Sequence, residues 1–91
     1  METEIKMICS ASRVLSYTKE YPYAIEEEIF QDLSNYINEE NIKDEKIIRC
    51  MIASASKALK IKRKTNLSEK QILKTVFEEI PQIVDNIDNS I

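Results

Sequence analysis

Neither glycine nor histidine occurs in these 91 residues, and the two absences close most familiar routes to chemistry. An average chain carries glycine at about 7 per cent of positions. Without it no loop can bring backbone amides tightly around a phosphate, which excludes P-loop and dinucleotide-binding readings. Without histidine, the commonest general base and the usual proton switch near neutral pH are missing, as are the imidazole ligands of most zinc and iron sites. Ser-His-Asp triads go with them. Cysteine is scarce: Cys9 and Cys50 cannot by themselves build a closed four-ligand zinc site. A metal would need carboxylates or a second chain. Free cysteine is most often a small buried hydrophobe, and both are expected in the core. No run approaches the ~18 apolar residues of a membrane span, and the acidic amino-terminal stretch lacks the apolar h-region of a secretory signal. The chain is expected to be cytoplasmic, with no cofactor, no membrane partner and no evident small-molecule substrate.

What is present is helical. Ninety-one residues make one domain, residues 1–91, able to bury roughly 60–65 per cent of its unfolded surface. The organising stretch is Lys46 to Lys64, in which Ile48, Met51, Ile52, Ala55 and Leu59 recur at helical spacing and define a core stripe. Ala53, Ser54, Ala55, Ser56 and Ala58 are small, so neighbouring backbones can come close on more than one side. This reads as the central helix of a bundle. On this reading Ile52→Asp buries an unpartnered charge and unfolds the domain.

The other segments follow the same period. Glu2 to Tyr21 places Ile5, Ile8, Cys9, Ser12 and Leu15 on one stripe, widened by Ala11 and Val14. Tyr21-Pro22 is a boundary, because proline disfavours the α region at the residue before it while suiting the first turn of a new helix. From Tyr23 to about Asn38, Ile25, Ile29, Leu33, Tyr36 and Ile37 form the next stripe, with Glu26, Glu27 and Glu28 in the first turn. Residues 38–43 supply asparagines suited to a positive φ, and Asp44 is a ready N-cap. After a loop at Lys64 to Leu67, Ser68-Glu69-Lys70-Gln71 matches a capping box, with Leu67 as a staple toward Ile72. Leu73, Val76, Ile80, Ile83 and Ile87 continue the final helix, with Ile72, Phe77 and Val84 beside them. Pro81 falls inside it and predicts a kink, or an end near Ile80 with a short fifth helix beyond. The fold class expected is all-α, a small four-helix bundle with short, antiparallel connections.

Charge is segregated by segment. Residues 20–45 carry nine acids against Lys43, and residues 46–74 carry nine bases against Glu69, within a chain of net charge −3. Either the two fields lie side by side and screen each other, or they face different sides and steer partners of opposite sign. Lys57, Lys60, Lys62, Arg63 and Lys64 form the strongest basic cluster and are candidate contacts for a protein partner or for phosphates. A helix carboxyl end also favours cations through its dipole. No aromatic residue lies between these bases to stack on a nucleobase, and the pI of about 5.0 is far from a basic footprint. Glu28 and Asp32 share a face, which suits a divalent cation or an acid/base pair, but without histidine, glycine or an EF-hand ligand ladder solvated helix surface is the better account. Tyr17 and Tyr21 are four residues apart and Tyr23 follows across the proline, so three phenols gather at one end, either sealing the first loop or forming an aromatic hot spot.

By elimination, the expected function is that of a small non-catalytic helical protein acting through protein–protein contact as a regulator, adaptor, inhibitor or subunit, with a homodimer among the possibilities. The alternative is a nucleic-acid-associated protein that holds the phosphate backbone through the basic end of the third helix.

Overall fold

A computed structural model describes residues 2–89, and within them four α-helices are joined by short loops: α1 Glu2–Glu20, α2 Glu26–Glu39, α3 Glu45–Lys64 and α4 Glu69–Asn89. Local chemistry sets the boundaries. At Pro22 the chain makes a turn closed by the Ala24 amide on the Tyr21 carbonyl (3.0 Å), and proline suits such a turn's second position. The new helix therefore starts at Glu26 rather than Tyr23, and Ile25 is its exposed N-cap residue instead of a core residue. Asn41 takes a φ of 57°, the glycine-like turn expected in the second loop. The Asp44 side chain accepts from the amides of Lys46 (2.9 Å) and Ile47 (3.2 Å). Ser68 and Gln71 cap each other reciprocally at 3.0 and 3.2 Å. The helix α4 runs unbroken through Pro81, so no fifth helix forms. Pro81 lies on an exposed side of α4, where water can meet the carbonyl that lost its amide partner.

The most extensive packing joins α1 to α3. Met7 clusters with Cys50, Val14 with Met51, Ala55 and Leu59, and Ala11 and Leu15 with Ala58. The residue numbers rise together, so the two helices lie side by side in the same chain direction. Ser10 and Ser54 are fully buried at this interface. The Ser10 hydroxyl is 2.8 Å from the Met7 carbonyl and 2.8 Å from the Met51 carbonyl, bridging the two helices, while Ser54 donates to its own helix at the Cys50 carbonyl (2.8 Å). No buried side-chain nitrogen or oxygen among the described residues lacks a partner.

The other two helices cover this pair from opposite sides. Ile29, Leu33 and Ile37 of α2 share one core cluster with α1 and α3, whereas Ile72, Val76 and Ile80 of α4 fill two others. The ion pair Lys46–Asp88 (2.5 Å) ties the start of α3 to the end of α4, and Lys57–Glu79 (3.2 Å) joins the middles of the two helices. The radius of gyration, 12.4 Å, matches the ~12 Å of a compact chain this long.

Three expected core positions are corrected. Ile52 is 41% exposed and Ile5 61% exposed. Cys9 is exposed as well, and only Cys50 is a core thiol. In α1 the buried stripe is Met7, Ser10, Ala11, Val14 and Leu15, because α3 offers small residues that admit α1's own small face. Ile52→Asp is accordingly expected to remain folded at a cost of about 1 kcal/mol, mostly from the lost burial of a half-covered apolar side chain, with a smaller part from poorer helix propensity. Ala58→Leu, by contrast, overfills the α1–α3 contact and costs about 1–3 kcal/mol, each kcal/mol lowering the melting temperature by ~4–8 °C. Thermal unfolding followed by circular dichroism checks the order; an Ile52→Asp variant less stable than Ala58→Leu would contradict this core.

Candidate interaction surface

Because α2 and α4 flank the α1–α3 pair, the side of α1 turned away from α3 becomes the floor of an open groove of about 700 Å³. Small residues run along that floor, where Cys9, Ser12 and Ser16 follow one another at helical spacing. The α2 wall supplies Asp32 and Tyr36, the α4 wall Leu73, and Tyr17 and Tyr21 close the far end. Arg13 spans the floor. Its Nε is 3.0 Å and its Nη2 3.3 Å from the two Asp32 oxygens, a bidentate pair, and its guanidinium lies 4.9 Å from the centre of the Tyr36 ring. One cation thereby joins a carboxylate and an aromatic face.

Two further hollows continue the groove. Toward the start of α1, Glu4, Ile5, Ile8, Cys9 and Phe77 line a cleft of about 290 Å³, in which Ile5 and Phe77 are 61% and 59% exposed. Toward the end, Tyr17, Ile25, Glu27, Glu28 and Asp32 line a shelf of about 430 Å³. Ile8 and Cys9 are common to cleft and groove, and Tyr17 and Asp32 to groove and shelf. The surface is continuous, apolar at one end and acidic with tyrosines at the other.

The three tyrosines do not form the cluster the spacing suggests. Tyr17 and Tyr21 stack with ring centres 4.8 Å apart and planes tilted by 43°. Tyr23 is carried outward by the turn at Pro22 and is 97% exposed. Burial raises the Tyr17 phenol above its ordinary value, helped by Glu28, Asp32, Tyr21 and Glu20 nearby. Tyr36 is raised by burial first, then by Cys9 and Glu40. Glu28 and Asp32 serve separate partners: Glu28 accepts from the Ile25 amide (3.2 Å) and Asp32 holds Arg13. Among the described residues no group of three potential metal ligands comes together.

The basic cluster is divided by the fold. Lys57 pairs with Glu79, and Arg63 reaches Glu26 at 3.5 Å. Lys62 lies about 200° round the helix from Lys60, in a small hollow beside Lys19 and Glu69. Lys60 and Lys64 are exposed, with no ion pair among the described residues. Lys60 is about 200° from Ala58, which packs on α1, so it sits on the side of α3 turned away from the groove.

Sequence spacing located the Tyr17–Tyr21 pair but assigned Ile5 and Cys9 to the core, while Tyr36 both packs against the core and lines the groove. The available signal was surplus: α1 carries Ile5, Met7, Ile8, Cys9, Ala11, Val14 and Leu15, more apolar residues than one buried face uses. No helix among the described residues is long and apolar enough to cross a membrane. Comparison of the chain with family models, curated proteins and solved structures finds no match.

Two measurements check this placement. A thiol reagent is expected to modify Cys9 in the folded protein and to reach Cys50 only on unfolding; two equally fast native thiols would contradict the core. In alkaline titration followed by phenolate absorbance, Tyr17 and Tyr36 should ionise above about 10, the ordinary phenol value. The unfolded chain then gives up these protons first, so their stabilising contribution is complete below about pH 10 and is lost as pH rises through the folded-state values. Tyr17→Phe and Tyr36→Phe should each remove part of the late-titrating absorbance, and an unchanged curve would count against these environments.

Proposed function

We propose that this chain is a small non-catalytic helical protein that works by holding another protein, as a regulator, adaptor, inhibitor or subunit. The observation that carries the reading is the exposed apolar cleft of Ile5, Ile8, Cys9 and Phe77, opening into a groove with a small-residue floor. Large apolar side chains brought together on a surface cost free energy in water, and covering them on association recovers roughly 25 cal/mol per Å². The ingredients also argue for contact over chemistry. The one base lining the groove, Arg13, is already neutralised by Asp32, and the groove brings together no nucleophile with a base to activate it.

Nucleic-acid association remains the second reading, favoured by Lys60 and Lys64, whose charges no described carboxylate neutralises. The two readings use different faces. Affinity capture with the wild-type chain and with Phe77→Ser separates them, since Phe77 is exposed and its loss should leave the melting temperature nearly unchanged. A protein retained by the wild type and lost with Phe77→Ser is the expected result. Chromatography with duplex and single-stranded nucleic acid at low and physiological salt should show no shift; a salt-sensitive shift abolished by Lys60→Glu with Lys64→Glu would replace the first reading by the second.

A further inference from the structure

The surface that follows α1 has polarity along its length, and that polarity specifies what fits it. At one end the exposed Ile5 and Phe77 offer apolar contact, with Glu4 beside them in the cleft lining. At the other, Glu20, Glu27 and Glu28 border the stacked tyrosines, and none of the three is in an ion pair among the described residues. The only base lining the groove or the shelf is Arg13, and Asp32 neutralises it bidentately. The acidic end therefore keeps an uncompensated negative field around the half-buried Tyr17 and the exposed Tyr21, a combination that attracts lysine or arginine side chains both by charge and through the accessible ring faces.

Resting on the protein-binding reading above, we propose that the groove along α1 takes an amphipathic helix of a partner protein, its apolar residues seated at Ile5 and Phe77 and its lysine or arginine residues at Tyr17 among Glu20 and Glu28. The length of the surface supports a helix. From Ile5 to Glu20 α1 spans about 22 Å at roughly 1.5 Å per residue, which is about four turns of a partner. The small side chains of Cys9, Ser12 and Ser16 let a second backbone approach the floor. Apolar anchors at helical spacing in a groove with charge complementarity at one end are a recurrent recognition mode. The chain's own basic run cannot fill this role within one molecule, because Lys60 lies on the far side of α3.

A synthetic peptide of about 16 residues tests the proposal, with leucines on one stripe of its first half and lysines in its last two turns. A matched peptide with glutamate in place of lysine serves as its control. Binding is followed by amide chemical-shift changes and calorimetry at physiological salt on folded protein, checked by circular dichroism. The lysine peptide is expected to bind, to shift amides along α1, and to lose about tenfold or more in affinity with Phe77→Ser and with the double reversal Glu20→Lys, Glu28→Lys. Reversing Glu45 and Asp85, which line neither groove nor shelf, should change little. Absence of binding, or equal loss from the remote reversals, would overturn the proposal. Equal binding of both peptides that still depends on Phe77 would overturn the cationic partner while leaving the protein-binding reading standing. A dimer of the chain alone, seen by light scattering and dissolved by the same groove variants, would assign the groove to a second copy and likewise overturn it.

Discussion

Two parallel helices cannot pack closely through large side chains on both sides, and the contact of α1 with α3 is built from residues that avoid the problem. Ala11 and Ser10 on one helix meet Ser54, Ala55 and Ala58 on the other, and the Ser10 hydroxyl reaches the Met51 carbonyl across the gap. A chain without glycine has no smaller option. A buried hydroxyl with its bond made contributes only about 1 kcal/mol net, but left unbonded it would cost more, so the approach distance is held from both sides. The remaining architecture follows from this pair. With α3 beneath α1, the large apolar residues of α2 and α4 can only cover the two flanks, and the upper side of α1 becomes a floor between two walls.

Much of this was legible in the sequence wherever the cause is local. The caps at Asp44 and Ser68, the positive φ at Asn41 and the number of helices all follow from side chains acting on their own backbone within a few residues. What misled was the phase of the stripes. Ile5 and Cys9 are as apolar as Met7 and Ala11, and periodicity alone says that a helix has an apolar side without saying which side a neighbour will take. That choice is made by the shape of α3, forty residues away. Ile52 and Ile25 fail for related reasons, one at the edge of a contact and one in a turn that proline imposes. The candidate surface divides in the same way. The Tyr17–Tyr21 stack is a neighbour effect within one helix, whereas Tyr36, Asp32 and Phe77 arrive from other helices and carry no local sign of their destination.

The charge segregation seen in the sequence is only partly consumed by folding. Arg13–Asp32, Arg63–Glu26, Lys57–Glu79 and Lys46–Asp88 each link two helices. Such half-exposed pairs add little stability, typically below about 1 kcal/mol each, but they make alternative helix registers less favourable. Beyond these pairs Glu20, Glu27 and Glu28 remain beside the tyrosines, and Lys60 and Lys64 remain exposed at the end of α3.

The bond between Ser10 and Met51 has a sequence separation of 41 residues, and this has a bearing on synthesis. While the first two helices leave the ribosome, the small-residue face of α1 has nothing to rest on, because its complement lies in α3. A hairpin of α1 and α2 shares limited contact and leaves Met7, Ser10 and Ala11 open to water. The nascent chain gains its principal contact only after α3 has emerged, late for a protein whose local helix signals are so clear. Long-range pairing of this kind slows folding relative to neighbour-by-neighbour bundles and leaves an apolar intermediate exposed for that interval.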